Sequence, residues 1–178
     1  MTEKIVAAVE KYRDLILNTE RHIWTTPETG YKEFKTSGYM EEKFRELGYD
    51  IVKADGITGF YARLDTGREG PELLILAELD SILCASHKDA DPATGAVHSC
   101  GHNAQCASLI GIAAALKEPG ILDKFCGKIM LCAVPAGQGG QHHGLRRCLY
   151  GCHCMGLSGG HKSGEYRPDG SCRFLHRH

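Results

Sequence analysis

Five consecutive apolar residues, Leu73-Leu74-Ile75-Leu76-Ala77, lead directly into Glu78 and Asp80. A strand made of this run carries apolar side chains on both faces, with no polar residue in alternation. The pattern predicts a central strand buried on both sides, in a sheet covered by helices. Its two carboxylates then stand at the C-terminal end, the edge at which open α/β sheets bind ligands. A solvated turn is the plain alternative for Glu78 and Asp80, and the Cys/His-rich stretch downstream favours the functional reading.

The elements around this strand fit the same class. Residues 3–23 place Ile5, Val6, Val9, Tyr12, Leu15, Ile16 and Ile23 at helical spacing, which predicts one amphipathic helix used for core packing. Pro27 and Gly30 end it. Thr36 or Ser37 can cap a second helix running to Leu47, with Gly48 at the left-handed position that stops a helix. Residues 49–53 and 59–64 read as short strands, residues 65–71 as a turn cluster and residues 84–97 as a polar loop. Asn103 can cap a helix over residues 104–117, whose small residues Ala107, Gly111, Ala113, Ala114 and Ala115 suit close packing on a sheet. Residues 128–134 form another short buried strand. Helix, strands, loop, helix, strand is the order of an α/β fold.

A chain of 178 residues has room for one domain with a real core. Its 42% apolar and 24% charged residues are those of a globular protein, and a net charge of -1 supplies no field for nucleic acid or an anionic membrane. The N-terminal residues are charged rather than apolar, and no apolar run is long enough for a membrane span. A cytoplasmic location is therefore expected, with the nine cysteines held as reduced thiols, some buried and some on metal.

His98-Ser99-Cys100-Gly101-His102-Asn103 sets three metal-ligating side chains at alternate positions. In an extended loop His98, Cys100 and His102 would converge on one point. Thiolate and imidazole suit zinc and similar transition ions, whereas calcium or magnesium calls for oxygens. A short cluster of this kind is structural or accidental more often than catalytic, so its neighbours decide its meaning. Thiol chemistry at Cys100 beside His98 or His102 is a further reading, although metal ligation uses the same thiolate.

At Gly137 the character of the chain changes. Residues 137–178 hold ten cysteines and histidines in 42 positions, against nine in the preceding 136, and apolar periodicity ends there. The expectation is a first segment, 1–136, followed by an atypical Cys/His/Gly-rich tail, 137–178, without regular structure.

Four motifs in this order resemble one known family. Pro27-Glu28-Thr29-Gly30 with Glu33, Lys35 and Thr36 is one, and Ala77-Glu78-Leu79-Asp80 is another. His98-Ser99-Cys100-Gly101-His102-Asn103 and Ala133-Val134-Pro135-Ala136 complete the set. Over roughly residues 10–136 the chain resembles the metal-dependent amidohydrolases and metallopeptidases that include aminoacylases, indole-acetyl-amino-acid hydrolases and aminobenzoyl-glutamate hydrolases. The resemblance implies a three-layer α/β sandwich with a mixed central sheet, of the zinc-dependent exopeptidase kind, truncated, with residues 1–136 as a partial catalytic domain. It also implies a two-metal centre of Zn2+ or Mn2+, with Cys100 and His102 as metal ligands, His98 outside the ligand set and Asp80 as the catalytic-site acid that supports the metal.

The implied reaction is metal-assisted hydrolysis of an amide in an N-acyl amino acid or small peptide-like substrate, with a glutamate taking the proton of the attacking water. The implied partners are that small molecule and, in some members, a second subunit in a homodimer, with no nucleic acid and no membrane. The glutamate is expected directly after Pro135-Ala136, where this chain has Gly137 and Gln138. Further histidine ligands and an inserted lid domain have no counterpart before His178. The chain is therefore expected to be an inactive or incomplete form. The alternative is a non-enzymatic zinc-binding module built from Cys148, Cys152, His153, Cys154, His161 and Cys172.

Overall fold

The structure is a computed structural model that describes residues 2–136. Three helices come first: α1 (Thr2–Lys11), α2 (Arg13–Trp24) and α3 (Phe34–Glu46). The strands β1 (Ile51–Lys53), β2 (Phe60–Asp65) and β3 (Glu72–Glu78) follow, then a two-stranded hairpin of β4 (Ile82–Leu83) and β5 (Ala96–Val97). Helix α4 (His102–Leu116) and strand β6 (Lys128–Val134) complete the order. The main sheet runs β1-β2-β6-β3, antiparallel between β1, β2 and β6 and parallel between β6 and β3. This is the expected mixed α/β sheet.

The pleat separates two faces. Phe60 and Ala62 of β2, Ile129, Leu131 and Ala133 of β6, and Ala77 of β3 join one core with Ala8, Ile23, Met40, Phe44 and the buried side of α4. Phe44 anchors it, fully buried, edge-on to Phe60 at 5.0 Å and tilted against Tyr49 at 5.3 Å. The Tyr49 hydroxyl donates to the carbonyl of Ala113 at 2.7 Å, tying β1's approach to α4. Tyr61, Met130, Cys132 and Val134 form a second buried cluster on the opposite face, and Leu74 and Leu76 share that face by register. Among the described residues every helix packs its buried side chains into the first core, so they supply the sheet and one helical layer of the expected three.

Several local expectations are corrected. Among the described residues the run Leu73–Ala77 lies at the edge of the sheet and not at its centre: β3 pairs there only with β6, and Leu73 is 52% exposed. Only Ala77 in that run is fully buried, because α4 covers the C-terminal half of β3 on a single face. The predicted single first helix is broken at Tyr12 (φ −101°, ψ 13°), between α1 and α2. Helix α3 starts at Phe34, ahead of Thr36 and Ser37, because Glu28 accepts from the amides of Lys35 and Thr36 in place of a capping hydroxyl. Helix α4 starts at His102 with Gly101 at its N-cap, and Asn103 is buried, donating to Glu20 at 2.6 Å. Gly48 does take the left-handed conformation, at φ 75°. The calls on the tail from Gly137 lie outside the described residues.

Glycine matters most at the entrance to β6. Gly127 has φ +79°, and a Cβ there would stand 1.9 Å from the carbonyl oxygen of Pro71. The contact sits where Lys128 N–H donates to that same Pro71 carbonyl and starts the β3–β6 register. Replacing Gly127→Ala therefore adds left-handed strain and forces two backbones apart, at an expected cost of about 2 kcal/mol or more. Urea unfolding checks this, and a change under roughly 0.5 kcal/mol, the usual scatter for surface substitutions, would refute it.

Candidate metal centre

The C-terminal end of β3 and the N-terminal end of α4 meet at one place. Parallel pairing carries β3 and β6 to the same edge of the sheet, where Leu79 N–H donates to the Val134 carbonyl at 2.9 Å. Gln105 and Cys106 of α4 bond the backbone of Glu78, through Gln105 Oε1 to its amide at 3.2 Å and from Cys106 Sγ to its carbonyl at 3.2 Å. These contacts hold the start of α4 against the end of β3. His102, the first residue of the helix, is thereby set between Glu78 and Asp80.

Its imidazole meets both carboxylates. Nδ1 lies 2.9 Å from Asp80 Oδ1 and 3.0 Å from the Asp80 carbonyl oxygen, while Nε2 lies 3.0 Å from Glu78 Oε2. Ligand atoms of Glu78, Asp80 and His102 all fall within 4.8 Å of one another, in partly buried surroundings. Since carboxylates only accept, both ring nitrogens must present a proton or a cation to them. The hydrogen bond to Asp80 chiefly, with Glu78 and Asp80 charges adding, holds the His102 pKa above the usual histidine value. A divalent ion on Nε2 satisfies the same geometry, with Asp80 fixing the ring from the other side, as metal-bound histidines generally require.

The three alternate side chains of the motif do not converge. Gly101 N–H donates to the His98 carbonyl at 3.0 Å, closing a turn over residues 98–101 that ends the alternation of an extended strand. Cys100 is exposed with Sγ 4.0 Å from the Asp80 carbonyl, beside the Glu78/Asp80/His102 group. His98 is fully buried, and neither of its ring nitrogens has a hydrogen-bond partner among the described residues. Desolvation, with His102 nearby, pushes its pKa down to about 4 against the opposing pull of Asp80. Sequence reasoning weighed Glu78 only as a strand-end acid, whereas the structure gives it the Nε2 side of His102. Its place two residues before Asp80, on the same side of an extended strand, was the signal.

The early motif is structural. Glu33 is fully buried and accepts from Tyr31 N at 2.7 Å, Thr58 Oγ1 at 2.6 Å and Ala136 N at 3.2 Å. It thus fixes the main chain where it leaves β6, at the same edge as Asp80. Glu28 caps α3, and its carbonyl accepts from Ser81 N at 2.7 Å and Ser81 Oγ at 2.9 Å, steadying the residue after Asp80. Cys106 is buried, and desolvation pushes its thiol far above the ordinary range, which disfavours the thiolate.

The chain is similar in sequence to known hydrolases. Over 128 residues the chain is 30% identical to the N-acetyl-L-cysteine deacetylase of Bacillus subtilis, covering 70% of this chain and 30% of that protein. Over 144 residues it is 28% identical to thermostable carboxypeptidase 2 of Saccharolobus solfataricus, covering 79% and 36%. The chain belongs to the metal-dependent amidohydrolase and metallopeptidase family. It spans about a third of the length of these curated relatives. The fold agrees with that of a dinuclear metal-binding peptidase from Bacillus subtilis, at a TM-score of 0.69 and 24% identity over 84% of this chain and 42% of the other. No protein-family model matches the chain.

The two histidines of the family motif should titrate in opposite directions in metal-free protein. His102, with its folded pKa raised, adds stability that is complete below the unfolded value near 6.5 and is lost as pH rises through the folded value. His98, with its folded pKa lowered, adds stability that is present above about 6.5 and is lost as pH falls toward 4. Proton NMR of the ring resonances reads both, and two coincident titrations near the ordinary histidine value would contradict the assignment.

Proposed function

We propose that residues 78–102 form a divalent-metal site of amidohydrolase type, inherited from enzymes that cleave N-acyl amino acids or peptide-like amides, and that this chain does not itself turn such substrates over. The observation that carries the metal reading is His102 held between Glu78 and Asp80, at 3.0 and 2.9 Å. The donor set fits a zinc or manganese ion. His102 would hold it through Nε2, Glu78 through its carboxylate and Cys100 through its thiolate, while Asp80 keeps the imidazole in the tautomer that frees Nε2. Three protein ligands leave room for water or substrate, as in catalytic zinc sites. A bound ion there supplies Lewis acidity toward an amide carbonyl and makes water a better nucleophile at neutral pH.

What this chain's own residues can do is narrower. Because His102 Nε2 must give up its proton to a metal, binding should strengthen as pH rises through the His102 pKa. Proton transfer from water to the leaving amine needs a base at the same sheet edge. Glu33 delivers the backbone to that edge at Ala136, and the next two residues are Gly137 and Gln138, neither of which accepts a proton near neutral pH. General acid-base assistance is worth about 10²- to 10⁴-fold, so its loss alone would leave little turnover.

Calorimetric titration with Zn2+ and Mn2+ tests the metal site. Binding should vanish with His102→Ala, and Asp80→Asn should weaken it about 10- to 100-fold, the usual cost of losing a carboxylate that orients a metal-bound histidine. Unchanged affinity in both variants would overturn the site. The assay for activity is hydrolysis of N-acetyl and aminobenzoyl amino acids with added zinc or manganese. No turnover is expected, and robust turnover that disappears in Cys100→Ala would show that a base other than the missing glutamate serves this chain.

A further inference from the structure

A second concavity has none of the residues of the metal centre in its lining. A cleft of about 560 Å³ opens between the C-terminal end of α2 and the loop after β4, lined by Glu20, Arg21, Trp24, His87, Lys88 and Asp89. Its volume is in the range of small-molecule sites. Trp24 and His87 form its aromatic wall, half-buried and edge-to-face, with centroids 6.4 Å apart at 69°. Such an arrangement leaves a ring face available for a third ring.

The charged groups around that wall are not equivalent. Glu20 is engaged with the Asn103 amide at 2.6 Å, and it stands 3.9 Å from Arg21. His87 Nδ1 accepts the backbone N–H of Asp89 at 3.1 Å, so in the neutral ring the proton sits on Nε2, as a donor. Lys88 lies 4.0 Å from Asp89, with its side chain 86% exposed, a loose pair that an incoming anion can displace. Arg21 is also largely exposed, and its fork of donors suits a carboxylate held two-handed. Beside the aromatic wall the cleft therefore offers three donors, Arg21, Lys88 and His87 Nε2–H. Each acid of the cleft faces one of these cations at the limit of an ion pair, Glu20 with Arg21 at 3.9 Å and Asp89 with Lys88 at 4.0 Å, so a bound carboxylate takes the two cations in exchange for those loose contacts.

We propose that this cleft binds an aromatic carboxylate, its ring against Trp24 and His87 and its carboxylate toward Arg21 and Lys88. The site is separate from the metal centre and does not depend on it. Glu20 of the cleft accepts from the amide of Asn103, the residue after His102.

Trp24 is the single tryptophan of the chain, so its emission reports this cleft. The experiment titrates phenylacetate into the full chain, with and without zinc, reading Trp24 fluorescence and, in parallel, saturation-transfer NMR of the ligand. A fragment of this size should bind in the millimolar range. The expected result is saturable binding that is equal in the two metal states. Phenylacetamide and cyclohexylacetate should each bind at least fivefold more weakly, as should phenylacetate to the Arg21→Gln/Lys88→Gln double variant. Both positions are exposed, so that variant should keep its fold, which circular dichroism verifies. Absence of binding by both readouts at about 10 mM, the upper end of that range, would overturn the proposal. So would equal binding of acid and amide, equal binding by the double variant, or binding only with zinc present, which would place the ligand at the metal centre.

Discussion

Parallel pairing of β3 with β6 is the constraint from which the rest of the described structure follows. Parallel neighbours cannot be joined by a tight turn, so the chain must leave the C-terminal end of β3, cross a face of the sheet and re-enter at the N-terminal end of β6. Helix α4 is that crossing, and its first turn necessarily lies at the edge where β3 ends. Glu78, Asp80 and His102 meet there because strand end and helix start are the same corner of the fold. The small residues of α4 serve the same constraint. At Gly111 a Cβ would stand 2.8 Å from Ile16 Cδ1, so the helix is held closely under α2.

The corner is built from reciprocal contacts rather than from one strong bond. Asp80 offers both its carboxylate and its carbonyl to one histidine nitrogen, and Gln105 and Cys106 grip the backbone of Glu78. Glu33 holds the end of β6 and Glu28 the residue after Asp80, so two glutamates 47 or more residues away in sequence stiffen the same edge. This explains physically why an early acidic motif accompanies a later metal motif. Glu33 is buried among three donors and fixes the position of the backbone there.

Much of this was legible in the residues, and the failures have physical causes. β6 was read over its full span, and β2 and α4 to within a residue or two, because their apolar content and bounding glycines are local signals. The position of β3 at the edge of the sheet formed by the described residues was not legible: Leu73, Leu74 and Leu76 look like a two-sided core strand, and pairing partners are a non-local property. The convergence of His98, Cys100 and His102 failed for a different reason. Alternation holds only in extended chain, and the turn closed by Gly101 sends His98 into the interior while leaving Cys100 outside. The helix start was missed by two residues, since Asn103 has the chemistry of a cap but uses it on Glu20.

The central claim is that this corner binds a divalent ion through His102, Glu78 and Cys100, with Asp80 orienting the imidazole. Cobalt(II) is the direct probe, because a thiolate ligand gives it a near-ultraviolet charge-transfer band and a low coordination number strengthens its visible bands. The account predicts one such thiolate band on adding cobalt to the chain, abolished in Cys100→Ala, with the visible bands reduced in His102→Ala. A spectrum that is the same in wild type and both variants would place the metal elsewhere and contradict the account.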